Sequence, residues 1–122
     1  MKISILLPYK ENFSSSYAGA VSLLLNDTTK LSKFYNNIKI YGSTDFKRDL
    51  LSKKYINLPI RKFFFQSSTK IYLKKFITKE ISNPSKIIEI HNRPNYLNEI
   101  FKINPNIVLY FHNDPLHQKG SI

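Results

Sequence analysis

Short apolar runs alternate with longer amphipathic segments along this chain, and this alternation restricts the fold more than any other feature of the sequence. Each run is five or six residues long and rich in isoleucine or leucine, which is typical of strands that are buried on both faces. Strands of this kind that are separated by helices form a parallel sheet with both faces covered. We therefore predict an α/β domain with a Rossmann-like, three-layer arrangement of a parallel sheet with helices on both faces.

The predicted elements follow from these runs and from the spacing of the apolar residues between them. Strands are expected at 2–7, 37–41, 86–90 and 107–111, and helices at 17–27, 67–81 and 94–103. The segment 46–58 has no clear period and is expected to form a helical turn and then a short strand. The serines at 14–16 are the expected N-cap of the first helix, and Asn92 is that of the last. The buried face of the second helix is expected to comprise Tyr72, Leu73, Phe76, Ile77 and Ile81.

The length of 122 residues is that of one domain. The last predicted strand is followed only by loop-like residues, whereas a doubly wound sheet normally covers its last strand with a helix. We therefore expect residues 1–122 to form a single Rossmann-like domain that is cut shortly after a strand and is a fragment of a larger protein.

The sequence excludes several kinds of site. It contains no cysteine, so it forms neither disulfides nor cysteine-ligated metal centres. Its apolar runs are far shorter than the ~20 residues that span a bilayer, and the run at 3–7 is too short for a signal peptide, so a cytoplasmic location is expected. There is no GxGxxG or Walker A motif. His112 and His117 are separated by a proline and do not have the spacing of a metal-binding helix pair, so we expect no metal.

The net charge of +11 suggests an anionic partner, either nucleic acid or a membrane surface. However, only 3 of the 19 basic residues are arginine, and the 16 lysines, 16 isoleucines and 12 asparagines share A/T-rich codons. Because nucleic-acid readers favour the guanidinium fork, nucleic acid is the less expected partner. A small basic module that binds nucleic acid or an anionic membrane without catalysis remains the alternative function. Its contact with a membrane would be the lysine face of the second helix, at 70, 74, 75 and 79.

Polar motifs follow three of the predicted strands. Gly19 lies near the start of the helix after the first strand, and the motifs HNRP (91–94) and HNDP (112–115) follow the strands at 86–90 and 107–111. Ligands of open parallel sheets bind beyond the carboxyl ends of the strands, so these motifs predict a site at one edge of the sheet. Each motif also has a purely structural interpretation, because asparagine near proline often forms a turn or a helix cap.

Taken together, these segments resemble a known family of enzymes. The stretches LLPYKE, YAGAVSLL, IEIHNRPNYL and VLYFHNDPLHQKGS are similar to the N-terminal half of retaining GT-B glycosyltransferases of family 4. The most similar members would be bacterial enzymes that assemble lipopolysaccharide and other cell-surface glycans. The similarity is densest in 86–121 and weakest in 42–65, and no segment resembles the second half of the family.

The resemblance implies roles for individual residues. It places the diphosphate and sugar of the donor at Ala18, Gly19 and Ala20, where many family members have a Gly-Gly pair. It implies that His112 is the catalytic histidine beside the transferred sugar. The acceptor side would be lined by His91, Asn92, Arg93, Asn113 and Asp114.

The reaction implied by the resemblance transfers a sugar from a nucleoside diphosphate sugar to a glycan or lipid-linked acceptor, with retention of configuration. The nucleoside diphosphate sugar is a co-substrate, so no cofactor is expected. The N-terminal domain of the family mostly binds the acceptor, and its C-terminal domain holds most of the donor. We therefore expect this chain to be inactive without the C-terminal donor-binding domain. A lysine face that contacts an anionic leaflet would hold the enzyme peripherally at the inner face of the cell membrane.

Overall fold

The computed structural model of the protein describes residues 1–46, 48–61 and 67–112. Within these residues, five strands form one sheet in which all neighbours are parallel. The strands are β1 (Ile3–Leu6), β2 (Ile38–Gly42), β3 (Tyr55–Asn57), β4 (Ile87–His91) and β5 (Ile107–Tyr110). Their order across the sheet is β3-β2-β1-β4-β5. The predicted α/β class and the parallel sheet are confirmed.

Helices cover both faces of this sheet. One face is covered by α1 (Ala20–Lys30), and the other by α2 (Ser68–Ser82) and α3 (Leu97–Phe101). A 3-10 turn over Tyr35–Asn37 leads into β2. The described part of the chain therefore has the three-layer, Rossmann-like arrangement that the sequence predicts.

Strand β1 is buried on both faces, which explains its continuous apolar sequence. Ile3 and Ile5 pack in the core beneath α1, together with Val21 and Leu25 of that helix. Leu6 points in the opposite direction, into the core beneath α2 and α3, because successive side chains of a strand alternate between its faces.

The first helix differs most from its prediction. It begins later than predicted, at Ala20, and continues to Lys30. The serines at 14–16 do not cap it, because its N-cap residue is Gly19, which has no side chain to accept a hydrogen bond. Its buried face continues through polar residues such as Asn26, which a pattern of apolar spacing does not register.

The segment predicted as one helix over 94–103 is helical in two forms. A 3-10 turn over Pro94–Tyr96 leads into the five-residue helix α3. The N-cap of that turn is Arg93, so the predicted cap at Asn92 is wrong. Asn92 has a φ of 56°, in the left-handed region, whereas a capping residue normally has an extended backbone.

The second helix lies where it is predicted, but one assignment on its buried face is wrong. Ile81 is 65% exposed, and its neighbour Glu80 is buried instead. Tyr72, Phe76 and Glu80 follow each other at intervals of four residues, and this interval keeps side chains on one face of a helix.

The Glu80 carboxylate joins α2 to the amino edge of the sheet. Its Oε2 accepts hydrogen bonds from Lys2 Nζ at 3.2 Å, Ser4 Oγ at 2.7 Å and Ser85 Oγ at 3.0 Å. Its Oε1 accepts from the Ser85 N–H at 3.1 Å. A buried carboxylate is stable in this position because donors satisfy both of its oxygens.

We expect Glu80→Gln to lower the free energy of unfolding by about 2 kcal/mol, because the amide nitrogen cannot accept and would face a donor of Ser4 or Ser85. Urea unfolding measures the difference. The matched control is Glu99→Gln, which breaks an exposed ion pair with Lys102 and should change stability by less than ~0.5 kcal/mol. Equal losses in the two variants would contradict the role given to Glu80.

Candidate functional site

The strand order places a crevice at the carboxyl ends of β1 and β4. From these two neighbours the chain proceeds outward in opposite directions, to β2 and β3 on one side and to β5 on the other. Open α/β sheets bind their ligands at such a switch point. The crevice is bordered by the loop at 7–19 after β1, by Asn92 and Arg93 after β4, and by His112 after β5.

Asn92 joins the ends of β4 and β5. Its left-handed backbone is one that asparagine adopts more readily than most residues. Its N–H donates to the Tyr110 carbonyl oxygen at 2.7 Å, and its Oδ1 accepts from the His112 N–H at 3.3 Å. The asparagine of the HNRP motif therefore fixes the backbone from which the His112 side chain extends.

The two described histidines are in contact. Nδ1 of His91 lies 2.9 Å from Nε2 of His112. Nε2 of His91 lies 3.3 Å from Oε2 of Glu89. The Tyr110 ring stacks on the His91 ring with centroids 4.8 Å apart and planes 4° apart. His91 is only 5% exposed, so these contacts hold a ring that is largely shielded from solvent.

The pKa of the His112 imidazole is lowered from its usual value of 6.5. Burial is the main cause and the nearby His91 the second, while the Glu11 carboxylate acts in the opposite direction. His112 is therefore neutral at pH 7, with one ring nitrogen that can accept a hydrogen bond.

Glu11 serves the N-terminus of α1. Its Oε2 accepts hydrogen bonds from the Ser22 N–H at 3.2 Å and from Ser22 Oγ at 2.7 Å. A carboxylate is favourable here because the first N–H groups of a helix have no partner within the helix. A Cβ on Gly19 would overlap the Glu11 carboxylate, so glycine at this position leaves room for the carboxylate.

The loop that the resemblance assigns to the donor lies beside Glu11. The Gly19 N–H donates to the Asn12 carbonyl oxygen at 3.3 Å, Ala18 is half-buried and Ala20 is exposed. An anion that approaches this helix N-terminus would therefore meet the carboxylate of Glu11 and would have to replace it.

Tyr96 and Arg93 lie on the other side of the crevice. The Tyr96 hydroxyl accepts from the Tyr9 N–H at 3.1 Å, which links the loop after β1 to the chain after β4. Burial raises the pKa of Tyr96, so its hydroxyl stays protonated. Arg93 is half-buried and donates from Nη1 to the Asn92 carbonyl oxygen at 2.7 Å.

The structure brings some of the residues singled out from the sequence into contact. His91 and Asn92 both contact His112, and Arg93 follows Asn92 along the chain. Ala18, Gly19 and Ala20 lie at the start of α1, where Gly19 is next to the Glu11 carboxylate. Contact of any of them with a substrate stays a prediction. The other residues singled out lie outside the described residues, namely Asn113, Asp114 and His117.

Sequence reasoning missed two acidic residues of this site. Glu89 lies two residues before His91, and that spacing on a strand puts both side chains on one face. The signal for Glu11 is weaker: an acidic residue precedes a helix whose own start has no capping side chain. Both carboxylates were identified only by their contacts in the folded chain.

Two cavities differ in their relation to the crevice. One of about 260 Å³, between α1 and the sheet, is lined in part by Glu89, His91 and His112. A larger one of about 750 Å³ lies between α2 and the edge strand β3. Although this cavity is the larger of the two, it is not the candidate active site. The polar groups at its border are chiefly lysines and include no histidine or carboxylate among the described residues.

Residues 1–46, 48–61 and 67–112 contain no group of three or more His, Asp or Glu that could hold a metal ion. In those same residues, no helix has both the length and the apolar character needed to cross a membrane.

The described residues define a class of protein by fold: an α/β domain with a parallel sheet whose strand order reverses direction between β1 and β4, the point at which sheets of this kind bind their ligands. No family model matches this chain, and comparison with curated proteins and with solved structures finds no match either.

We expect Gly19→Ala and Glu11→Ala each to lower the free energy of unfolding by about 1 kcal/mol, and the double variant to lose clearly less than the sum. Gly19 has a φ of −74° and a ψ of 162°, which alanine adopts freely, so its replacement costs only the displaced carboxylate. Urea unfolding of the four proteins measures this. Ser16→Ala, at a serine predicted as a cap, should have no effect beyond ~0.5 kcal/mol. Additive losses would show that Gly19→Ala does not act by displacing the Glu11 carboxylate, and an unchanged stability of Glu11→Ala would show that Glu11 does not cap α1.

Proposed function

We propose that this chain is the N-terminal, acceptor-binding domain of a retaining GT-B glycosyltransferase of family 4. The enzyme would transfer a sugar from a nucleoside diphosphate sugar to a glycan or lipid-linked acceptor in the assembly of bacterial lipopolysaccharide or another cell-surface glycan. The supporting observation is that three segments of the family resemblance follow strands of one parallel sheet and are linked there by the bond from the Tyr9 N–H to Tyr96 and by the contact of His91 with His112. They are the loop after β1, the HNRP motif after β4, and His112 after β5.

In this proposal the crevice is the acceptor side of the active site. The neutral His112 ring accepts a hydrogen bond from a sugar hydroxyl at the transfer centre. Arg93 binds a phosphate or an acidic sugar through its guanidinium, exchanging its present bond to the Asn92 carbonyl oxygen for a charge-assisted one.

The donor diphosphate lies at Ala18, Gly19 and Ala20 in this proposal. It replaces the Glu11 carboxylate at the helix N-terminus and takes over the bond to the Ser22 N–H. The nucleotide itself binds a C-terminal domain, and the scheme uses no metal or cofactor.

The test is a transfer assay on the complete polypeptide that contains this chain, with a panel of labelled UDP-, GDP- and ADP-sugars and a lipid extract as acceptor. We expect transfer from one donor class, and a loss of about 100-fold or more for His112→Ala. Lys102→Ala, on the exposed surface of the segment after α3, is the control and should transfer at the wild-type rate.

The outcomes separate the function from the site. Wild-type transfer by His112→Ala would remove His112 from the active site. A complete polypeptide that transfers no sugar from any donor would refute the glycosyltransferase proposal. Transfer by residues 1–122 alone would contradict the need for a C-terminal donor-binding domain.

A second candidate function is favoured by the 750 Å³ groove between α2 and β3. Its floor is apolar, with Ile56, Leu58 and Ile71, and lysines surround it. The lysines are Lys70, Lys74, Lys75 and Lys79. Acyl chains fit an apolar floor and anionic headgroups fit lysines, so an anionic lipid surface suits this groove better than nucleic acid. Such contact would hold the protein peripherally at the inner face of the cell membrane, with or without catalysis.

We expect the chain to float with liposomes that contain phosphatidylglycerol and to sediment without them. Lys74→Glu combined with Lys75→Glu should abolish flotation. The control pair, Lys30→Glu with Lys33→Glu, makes the same change in net charge at the end of α1, across the sheet, and should retain flotation. Equal loss in both double variants would mean that net charge alone, and not this groove, attracts the membrane.

A further inference from the structure

Three titratable side chains lie in a row at the end of the sheet. Glu89 and His91 are two residues apart on β4, so both side chains lie on the face covered by α1, where they line the 260 Å³ cavity. His112 follows β5, whose Tyr110 pairs with His91 in the sheet. Oε2 of Glu89 lies 3.3 Å from Nε2 of His91, and Nδ1 of His91 lies 2.9 Å from Nε2 of His112. These three side chains form the row.

The row determines which nitrogen of each ring has the proton. The Glu89 carboxylate can only accept, so Nε2 of His91 must have the hydrogen that points at it. A neutral His91 then has its lone pair on Nδ1, and Nε2 of His112 must donate to that lone pair. The remaining lone pair of His112 is therefore on Nδ1.

We infer that Glu89 and His91 are positioning residues that present Nδ1 of His112, unprotonated, to a hydroxyl group of the substrate. The identity of that substrate as a sugar rests on the proposed function. That Nδ1 of His112 accepts this hydrogen bond, and does not donate it, follows from the row of side chains alone.

The surrounding contacts hold both rings in place. Tyr110 stacks on one side of His91, which opposes rotation of that ring. The Asn92 side chain accepts from the His112 N–H, which fixes the backbone of the second histidine. A ring that is held in one tautomer and one orientation loses little entropy when it accepts a bond from a substrate.

The groups that face His112 determine how the protonation of its ring depends on pH. They are His91 from β4 and Glu11 from the loop after β1, with Glu89 and Tyr110 on the far side of His91. Acid adds a proton to Nδ1 of His112 and removes the acceptor. Binding of the substrate hydroxyl is therefore expected to weaken as the pH falls below 6.5 toward the lowered pKa of His112.

The direct test is the ¹⁵N NMR spectrum of the histidine rings in the full chain at pH 8, assigned with single histidine variants. We expect both rings to have their proton on Nε2. Glu89→Leu removes the acceptor, and we expect a Nδ1-protonated population to appear in both rings. Glu89→Gln keeps the volume and guards against unfolding. The glutamine amide can donate as well as accept, so we expect a Nδ1-protonated population in this variant too.

The kinetic test uses the transfer assay. Glu89→Gln is expected to lower kcat/KM about 10- to 100-fold, mainly through kcat, with little change in the free energy of unfolding. Glu99→Gln is the matched control, because it makes the same substitution at an exposed position remote from the crevice.

Failure of this inference is distinguishable from failure of the proposed function. A proton on Nδ1 of His112 in the wild type, or tautomers unchanged by both Glu89 variants, would overturn the positioning role. Transfer that depends on His112 but not on Glu89 would overturn it as well. Tautomers that respond as expected in a protein that transfers no sugar would support the positioning of His112 and refute the glycosyltransferase.

Discussion

The parallel pairing of β1 with β4 is the contact on which the rest of the arrangement depends. It joins segments that are far apart in the sequence, with Leu6 opposite Ile90, so that the loops after both strands start side by side. A slip of one residue would turn Ile88 and Ile90 out of the core and direct the polar side chains of β4 into it. The apolar side chains that bury one face of β4 therefore also determine that Glu89 and His91 face the cavity beneath α1.

Directional polar contacts secure both ends of this pair of strands. At the amino edge, the buried Glu80 carboxylate accepts hydrogen bonds from Ser4 of β1 and from Ser85 in the turn before β4. At the carboxyl edge, Asn92 ties β4 to β5, and Tyr96 ties the chain after β4 to the loop after β1. Apolar burial determines which residues lie inside, and these bonds determine which loops meet. Directional polar contacts of this kind also join His91 to His112, Glu11 to the start of α1, and Tyr9 to Tyr96.

The sequence predicts the sheet well because strands that are buried on both faces are continuously apolar. It also predicts that Gly19, His91 and His112 share one edge, since all carboxyl ends of a parallel sheet do. It does not predict the side-chain partners found there. Glu11 caps α1 from outside the helix, where the sequence signal is weak, whereas the serines at 14–16 have the residue type of a cap but do not serve as one. On the buried face of α2, Glu80 takes the place predicted for Ile81, so the helix is rotated slightly about its axis relative to the prediction. Hydropathy alone favours burial of the isoleucine.

Whether three loops form one substrate crevice at the β1–β4 switch point is tested most directly by the location of bound ligand. Backbone amide NMR of the complete polypeptide that contains this chain, titrated with UDP-glucose, GDP-mannose and ADP-glucose in turn, gives that location residue by residue. We expect one of these donors to shift the signals of Gly19, Ser22 and His112 together. Shifts confined to Ile71 and Thr78 in the lysine-lined groove, or no shift at the crevice with any donor, would contradict it.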